Sequence, residues 1–154
     1  MAARKWFLVA DSSRARLFAM SEHGEGFAEI ASFANPEGRS HDGELASYDS
    51  GISARVAPRS GPQQPSALDH NVEGFARELG RYLEQARTQH RYDALCLVAA
   101  PEFLGRLRQT LSKDVEHLAV EQIDKDISWF DGRDIERYLK RKLAEAESAR
   151  SQNE

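Results

Sequence analysis

The chain has 154 residues, the length of one ordinary domain, and a 40% hydrophobic content fills a single core without disulfides or metals. Its formal net charge of -4 excludes a surface that attracts nucleic acid everywhere, so any such contact is local. The lone cysteine, Cys96, excludes an intrachain disulfide, and the longest apolar run, Ala94 to Ala100, is far short of the roughly 20 residues a membrane helix needs.

Arg4-Lys5 is followed by only a short apolar run before Asp11, too short for a secretory segment, so a cytoplasmic protein with no membrane contact is expected. Trp6 to Ala10 is strand-like, Asp11-Ser12-Ser13 is a turn cluster and Ala15 to Met20 resumes the pattern, which predicts a β-hairpin. A turn at Glu22 to Gly26 leads to Phe27 to Phe33, the third strand of an antiparallel meander. From 35 to 69 the composition shifts to Gly, Ser, Pro, Asp, Arg and Gln without any period, and a long flexible loop is predicted, with Leu45, Tyr48, Ile52 and Val56 as anchor points.

Helical spacing returns with Val72, Phe75, Ala76, Leu79, Leu83 and Ala86, predicting a helix from an N-cap at Asp69 or Asn71 to about Thr88. Ala94 to Ala100 reads as a strand buried on both faces, and Pro101 opens a helix that buries Phe103, Leu104, Leu107 and Leu111. In that helix Gly105 is read as allowing close approach to the sheet, with Arg106 and Arg108 on the outer face. Val115 to Ile123 reads as a fifth strand. Ile135, Tyr138, Leu139, Leu143 and Ala146 mark a last helix from near Asp131, and residues 148–154 read as a polar, fraying tail to a single domain over 1–147.

This order predicts an α/β fold, a ribonuclease H-like mixed five-stranded sheet with strands four and five parallel to strand one and helices on both faces. Ligands of open α/β sheets bind outside the carboxyl ends of parallel strands, which draws attention to Asp11, Glu102, Asp124 and Asp126 on one edge. Such carboxylates would suit a metal-dependent ribonuclease H-like nuclease, but turn and helix-start roles explain them more economically. His23, His41, His70, His90 and His117 show neither i, i+4 pairing nor cysteine partners, so neither metal nor cofactor is expected. The Pro101 to Arg106 turn lacks Gly-x-Gly-x-x-Gly and a P-loop lysine, and no nucleophile elbow is present. The Lys140-Arg141-Lys142 cluster, interleaved with glutamates, reads as a solvated face.

Trp6 to Phe18, Asn35-Pro36-Glu37 with Arg39, Glu44-Leu45 and Asp49, Phe75 to Leu79, Leu97 to Arg108 and Asp124 to Ile127 together resemble the bacterial host attachment family, the proteins required for attachment to host cells. That family is similar in turn to the central domain of eukaryotic and archaeal peptide chain release factors and pelota. The resemblance implies a loop bearing Gly-Gly-Gln for peptidyl-tRNA hydrolysis. Here the resemblance matches Gly61 to the first glycine and Gln63 to the glutamine, with Gln64 next to it as a second candidate for the hydrolase alternative, but Pro62 replaces the second glycine and removes both a donor and backbone freedom. The expectation is a non-enzymatic or vestigial release-factor-like domain that contacts ribosome or tRNA through Arg39, Arg55 and Arg59. A peptidyl-tRNA or ester hydrolase and a module that binds another protein stand beside it as alternatives.

Overall fold

The computed structural model describes residues 4–21, 26–39 and 67–152. Five strands form one sheet in the order β3-β2-β1-β4-β5. At its centre β1 (Lys5–Ala10) pairs antiparallel with β2 (Arg14–Met20) and parallel with β4 (Ala94–Ala99). At the edges β3 (Phe27–Ala34) pairs antiparallel with β2, and β5 (Ala119–Ile123) parallel with β4. This strand order, with β2 as the reversed strand, is the ribonuclease H-like arrangement expected from the sequence. Because β1 and β4 are covered on both faces, Trp6 to Ala10 and Leu95 to Ala99 are buried at every position, and the sequence there is apolar without alternation.

Five helices are described: α1 (Pro36–Arg39), α2 (Ala67–Thr88), α3 (Pro101–Thr110), α4 (Lys113–Leu118) and α5 (Gly132–Gln152). Side chains of a strand alternate between faces, and the core divides accordingly. On one face Trp6, Leu8, Leu17, Leu95 and Leu97 pack with Phe75, Leu79 and Leu83 of α2, Leu107 of α3 and Val115 of α4. On the other, Phe7, Val9, Phe18, Cys96 and Val98 pack with Ile127 and with Ile135 and Leu139 of α5. Each fully buried leucine contributes roughly 1.5–3 kcal/mol. Among the described residues no helix is long and apolar enough to cross a membrane.

Three local expectations are corrected. The fifth strand begins at Ala119, not Val115, because the Ser112 hydroxyl oxygen accepts the Val115 N–H at 3.1 Å and starts α4, with Asp114 and Glu116 in its first turn. Neither Asp69 nor Asn71 caps α2, which is already helical at Ala67. Gly105 is not a close-approach glycine, since a Cβ there would meet nothing within 4 Å; that role belongs to Gly80 of α2, where a Cβ would lie 2.8 Å from Thr110 Oγ1 of α3. The stop of α2 is well defined: the His90 N–H donates to Arg87 O at 2.9 Å and the Arg91 N–H to Ala86 O at 3.0 Å, with His90 at φ 57°.

Candidate functional site

The carboxyl ends of β1, β3, β4 and β5 leave the sheet on one edge, and the β1–β2 turn organises it. The Asp11 N–H donates to Arg14 O at 2.8 Å. Its carboxylate Oδ1 accepts the Ser13 N–H at 2.8 Å, the Ser13 hydroxyl at 2.9 Å and the Arg14 N–H at 2.8 Å. The Ser128 hydroxyl, itself fully buried, donates to Asp11 Oδ2 at 2.8 Å and lies 3.1 Å from Asp126 Oδ1. Asn35 adds a third segment: its N–H donates to Ser13 O at 2.8 Å and its side-chain amide to Ser12 O at 3.0 Å and Asn71 O at 3.4 Å. Gly38 then lies against the same turn, so closely that a Cβ would be 2.1 Å from Ser12 O.

Beside this knot lies a cavity of about 270 Å³, bordered by Asp11, Gly38, Leu68, Phe103, Arg106 and Trp129, with Asp69, Glu102 and Asp126 also on its wall. Arg106 does not point outward from α3 as expected. It is half-buried, with Nη2 3.2 Å from Asp69 Oδ1 and 4.0 Å from Glu102 Oε1. Arg108 is exposed as predicted, with Nη1 3.3 Å from Gln122 Oε1. The α3 N-terminus at Ala100 carries no side-chain cap. Across the cavity the Trp129 indole N–H donates to Asp126 Oδ2 at 3.3 Å, while the Arg14 guanidinium lies 4.6 Å from the Trp129 ring centre.

A wider hollow of about 490 Å³ lies along β2 and β3, where Arg16 pairs with Glu29 at 2.9 Å and donates to Phe130 O at 2.8 Å; Glu29 raises the Arg16 pKa. The third, at about 310 Å³, has Arg87, His90, Asp93, Asp114 and His117 on its wall. Of these three hollows the strand-end cavity is the candidate site, because it lies at the carboxyl ends of the paired strands β1 and β4 and gathers several carboxylates, an arginine and an indole there.

Of the residues singled out from sequence, Asp11, Glu102 and Asp126 border this cavity, whereas Asp124 follows β5 as an exposed residue and is not among those lining it. Among the described residues no group of three or more His, Cys, Asp or Glu side chains could hold a metal ion. Arg55, Arg59, Gly61, Gln63 and Gln64 lie outside the described residues, as does the Arg39 side chain, although the Arg39 backbone closes α1. The residues either side of that stretch are placed: Gly38 and Leu68 both border the cavity. Sequence reasoning missed Ser128, Trp129, Gly38 and the inward role of Arg106. The available signal was Ser128-Trp129-Phe130-Asp131, two large aromatics inside a turn, where solvated residues are the rule.

The family described as "Protein required for attachment to host cells" matches residues 6–139. Comparison with curated proteins gives no match. Among solved structures, the type II variant of the Aquifex aeolicus Ppx/GppA phosphatase is similar at 12% identity and a TM-score of 0.39, over 79% of this chain and 35% of that one, so the chain spans about a third of that protein's length.

Proposed function

From the premise that the chain belongs to the family of proteins required for attachment to host cells, we propose that it is a non-enzymatic, release-factor-like binding domain that contacts ribosomal or transfer RNA through Arg39, Arg55 and Arg59. The observation that carries this reading is the position of Gly38 and Leu68 at the strand-end cavity, which ties both ends of the arginine-bearing stretch to the one edge where α/β sheets bind ligands. A non-enzymatic role is supported by Asp11. Four donors engage its carboxylate, so the residue best placed to serve a nuclease is committed to holding the turn. Pro62 argues the same way for release chemistry, because it cannot reproduce the donor and the backbone freedom of a second glycine.

Co-sedimentation with ribosomes, and binding to purified tRNA across a salt series, test the proposal. Wild-type protein is expected to bind, and the Arg39→Ala, Arg55→Ala, Arg59→Ala variant to bind weakly, with the slope of log affinity against log salt reduced by about two. Equal binding by both proteins overturns the arginine contact. Hydrolysis of peptidyl-tRNA by the wild type that is abolished by Gln63→Ala, Gln64→Ala would replace the non-enzymatic reading with a hydrolase.

A further inference from the structure

Trp129 and Phe130 are adjacent in the turn between β5 and α5, and they remain 52% and 42% exposed. The turn is nevertheless firmly held. Ile127 before it is 4% exposed in the core, Ser128 is 0% exposed and bonded to Asp11, and Arg14 stacks on the indole at 4.6 Å. An aromatic pair fixed in place and left in water is preorganised for a partner, because little side-chain freedom is lost when it is covered.

The charge around the pair says what kind of partner. The adjoining cavity wall carries Asp11, Asp69, Glu102 and Asp126 against Arg106, which is already paired with Asp69; of the two arginines that touch the turn, Arg14 lies on the indole and Arg16, bonded to Phe130 O, is paired with Glu29. The Glu102 side chain is 87% exposed. Asp124 and Asp131 are exposed on the same segment as the aromatics, where the opposing charges are Lys125 and Arg133. This excess of carboxylates disfavours phosphate, so the RNA contact proposed above rests on Arg39, Arg55 and Arg59 and not on this wall of the cavity.

We propose that the rim formed by Trp129, Phe130, Asp126 and Glu102 docks an arginine-bearing basic segment of a protein partner. Arginine fits better than lysine on two counts. Its planar guanidinium stacks on an indole, as Arg14 already does, and its fork of donors matches carboxylates such as Glu102 and Asp126.

The test uses the whole chain with three peptides, oligoarginine, oligolysine and oligoglutamate, and with oligouridine as the nucleic-acid probe. Titration calorimetry gives affinities, and tryptophan emission gives location, because Trp6, the other tryptophan, is only 4% exposed. Oligoarginine is expected to bind saturably and to change the Trp129 emission, oligolysine to bind several-fold more weakly, and oligoglutamate not to bind. Trp129→Ala should weaken oligoarginine binding by about tenfold. Glu102→Gln should weaken it several-fold while leaving the circular dichroism spectrum unchanged, since that side chain projects into solvent. If Trp129→Ala fails to fold, Glu102→Gln and Phe130→Ala decide. Equal binding of oligoarginine and oligolysine, unaffected by these substitutions, overturns the proposal in favour of bulk charge attraction. Saturable oligouridine binding that changes the Trp129 emission overturns it in favour of a nucleic-acid surface.

Discussion

A Cβ at position 38 would lie 2.1 Å from Ser12 O and 2.7 Å from Asn35 Nδ2, whereas one at position 105 would meet nothing within 4 Å. The two glycines therefore predict opposite outcomes. Gly38→Ala must push the Asn35 turn off the β1–β2 turn and is expected to cost about 1–3 kcal/mol. Gly105→Ala, within α3, removes the helix penalty of glycine and is expected to stabilise by about 0.5–1 kcal/mol. Urea denaturation of both variants checks this, and a neutral Gly38→Ala would show that the turn contact is dispensable. Nothing in Asn35-Pro36-Glu37-Gly38 by itself distinguishes a clamped glycine from an ordinary turn glycine. Asp11 had the same ambiguity in sequence, since a carboxylate after a strand suits a metal or a turn equally, and only the positions of Ser13, Arg14 and Ser128 show that it holds the turn.

At the scale of elements, Glu84 links α2 to the start of α4, beside the Arg87–Asp114 pair at 3.6 Å. Its carboxylate is 2.9 Å from Arg87 Nη2 and accepts the Ser112 hydroxyl at 2.8 Å, and these bonds, that to Arg87 first, lower its pKa from 4.5 to about 2. Because the folded-state pKa is depressed, the stabilisation is fully present above the ordinary carboxylate value and is lost as pH falls from about 4.5 through about 2. Glu84→Gln is therefore expected to lower the thermal midpoint at pH 7, with the gap to wild type closing across that acid window. A gap that persists unchanged at pH 2 would show that the ionised carboxylate is not what ties the helices together. Here the sequence was legible only in part. α2 announces itself through seven buried positions on one face, but the six residues of α4 are too few for periodicity to show, and Val115, Leu118, Val120 and Ile123 imitate a strand.

Across the whole molecule, the β1–β4 pair is buried at every position from Trp6 to Ala10 and from Leu95 to Ala99, and Cys96 reports on it. The thiol is buried, and burial pushes its pKa up to about 12, so a thiol reagent can reach a reactive form only when the sheet opens. Labelling of Cys96 in native buffer is expected to be as slow as global unfolding. Leu97→Ala, which empties a fully buried site beside it, should accelerate labelling by one to three orders of magnitude. Rapid labelling of the wild type, unchanged in the variant, would mean that β4 opens locally.

By itself the sequence determined the existence and nature of the main elements, the strand order and the two-sided burial of β1 and β4. These follow from runs and periods confined to neighbouring residues, joined by connections whose handedness is restricted. Only the tertiary structure decided the candidate site. Ser128 reaches Asp11 across 117 positions and Arg106 reaches Asp69 across 37, and neither contact leaves a local pattern in the chain. The same holds for Trp129 and Phe130. Apolar residues are predicted to be buried, and only the finished fold, with its core already filled by Ile127, Ile135 and Leu139, leaves these two in water beside a rim of carboxylates.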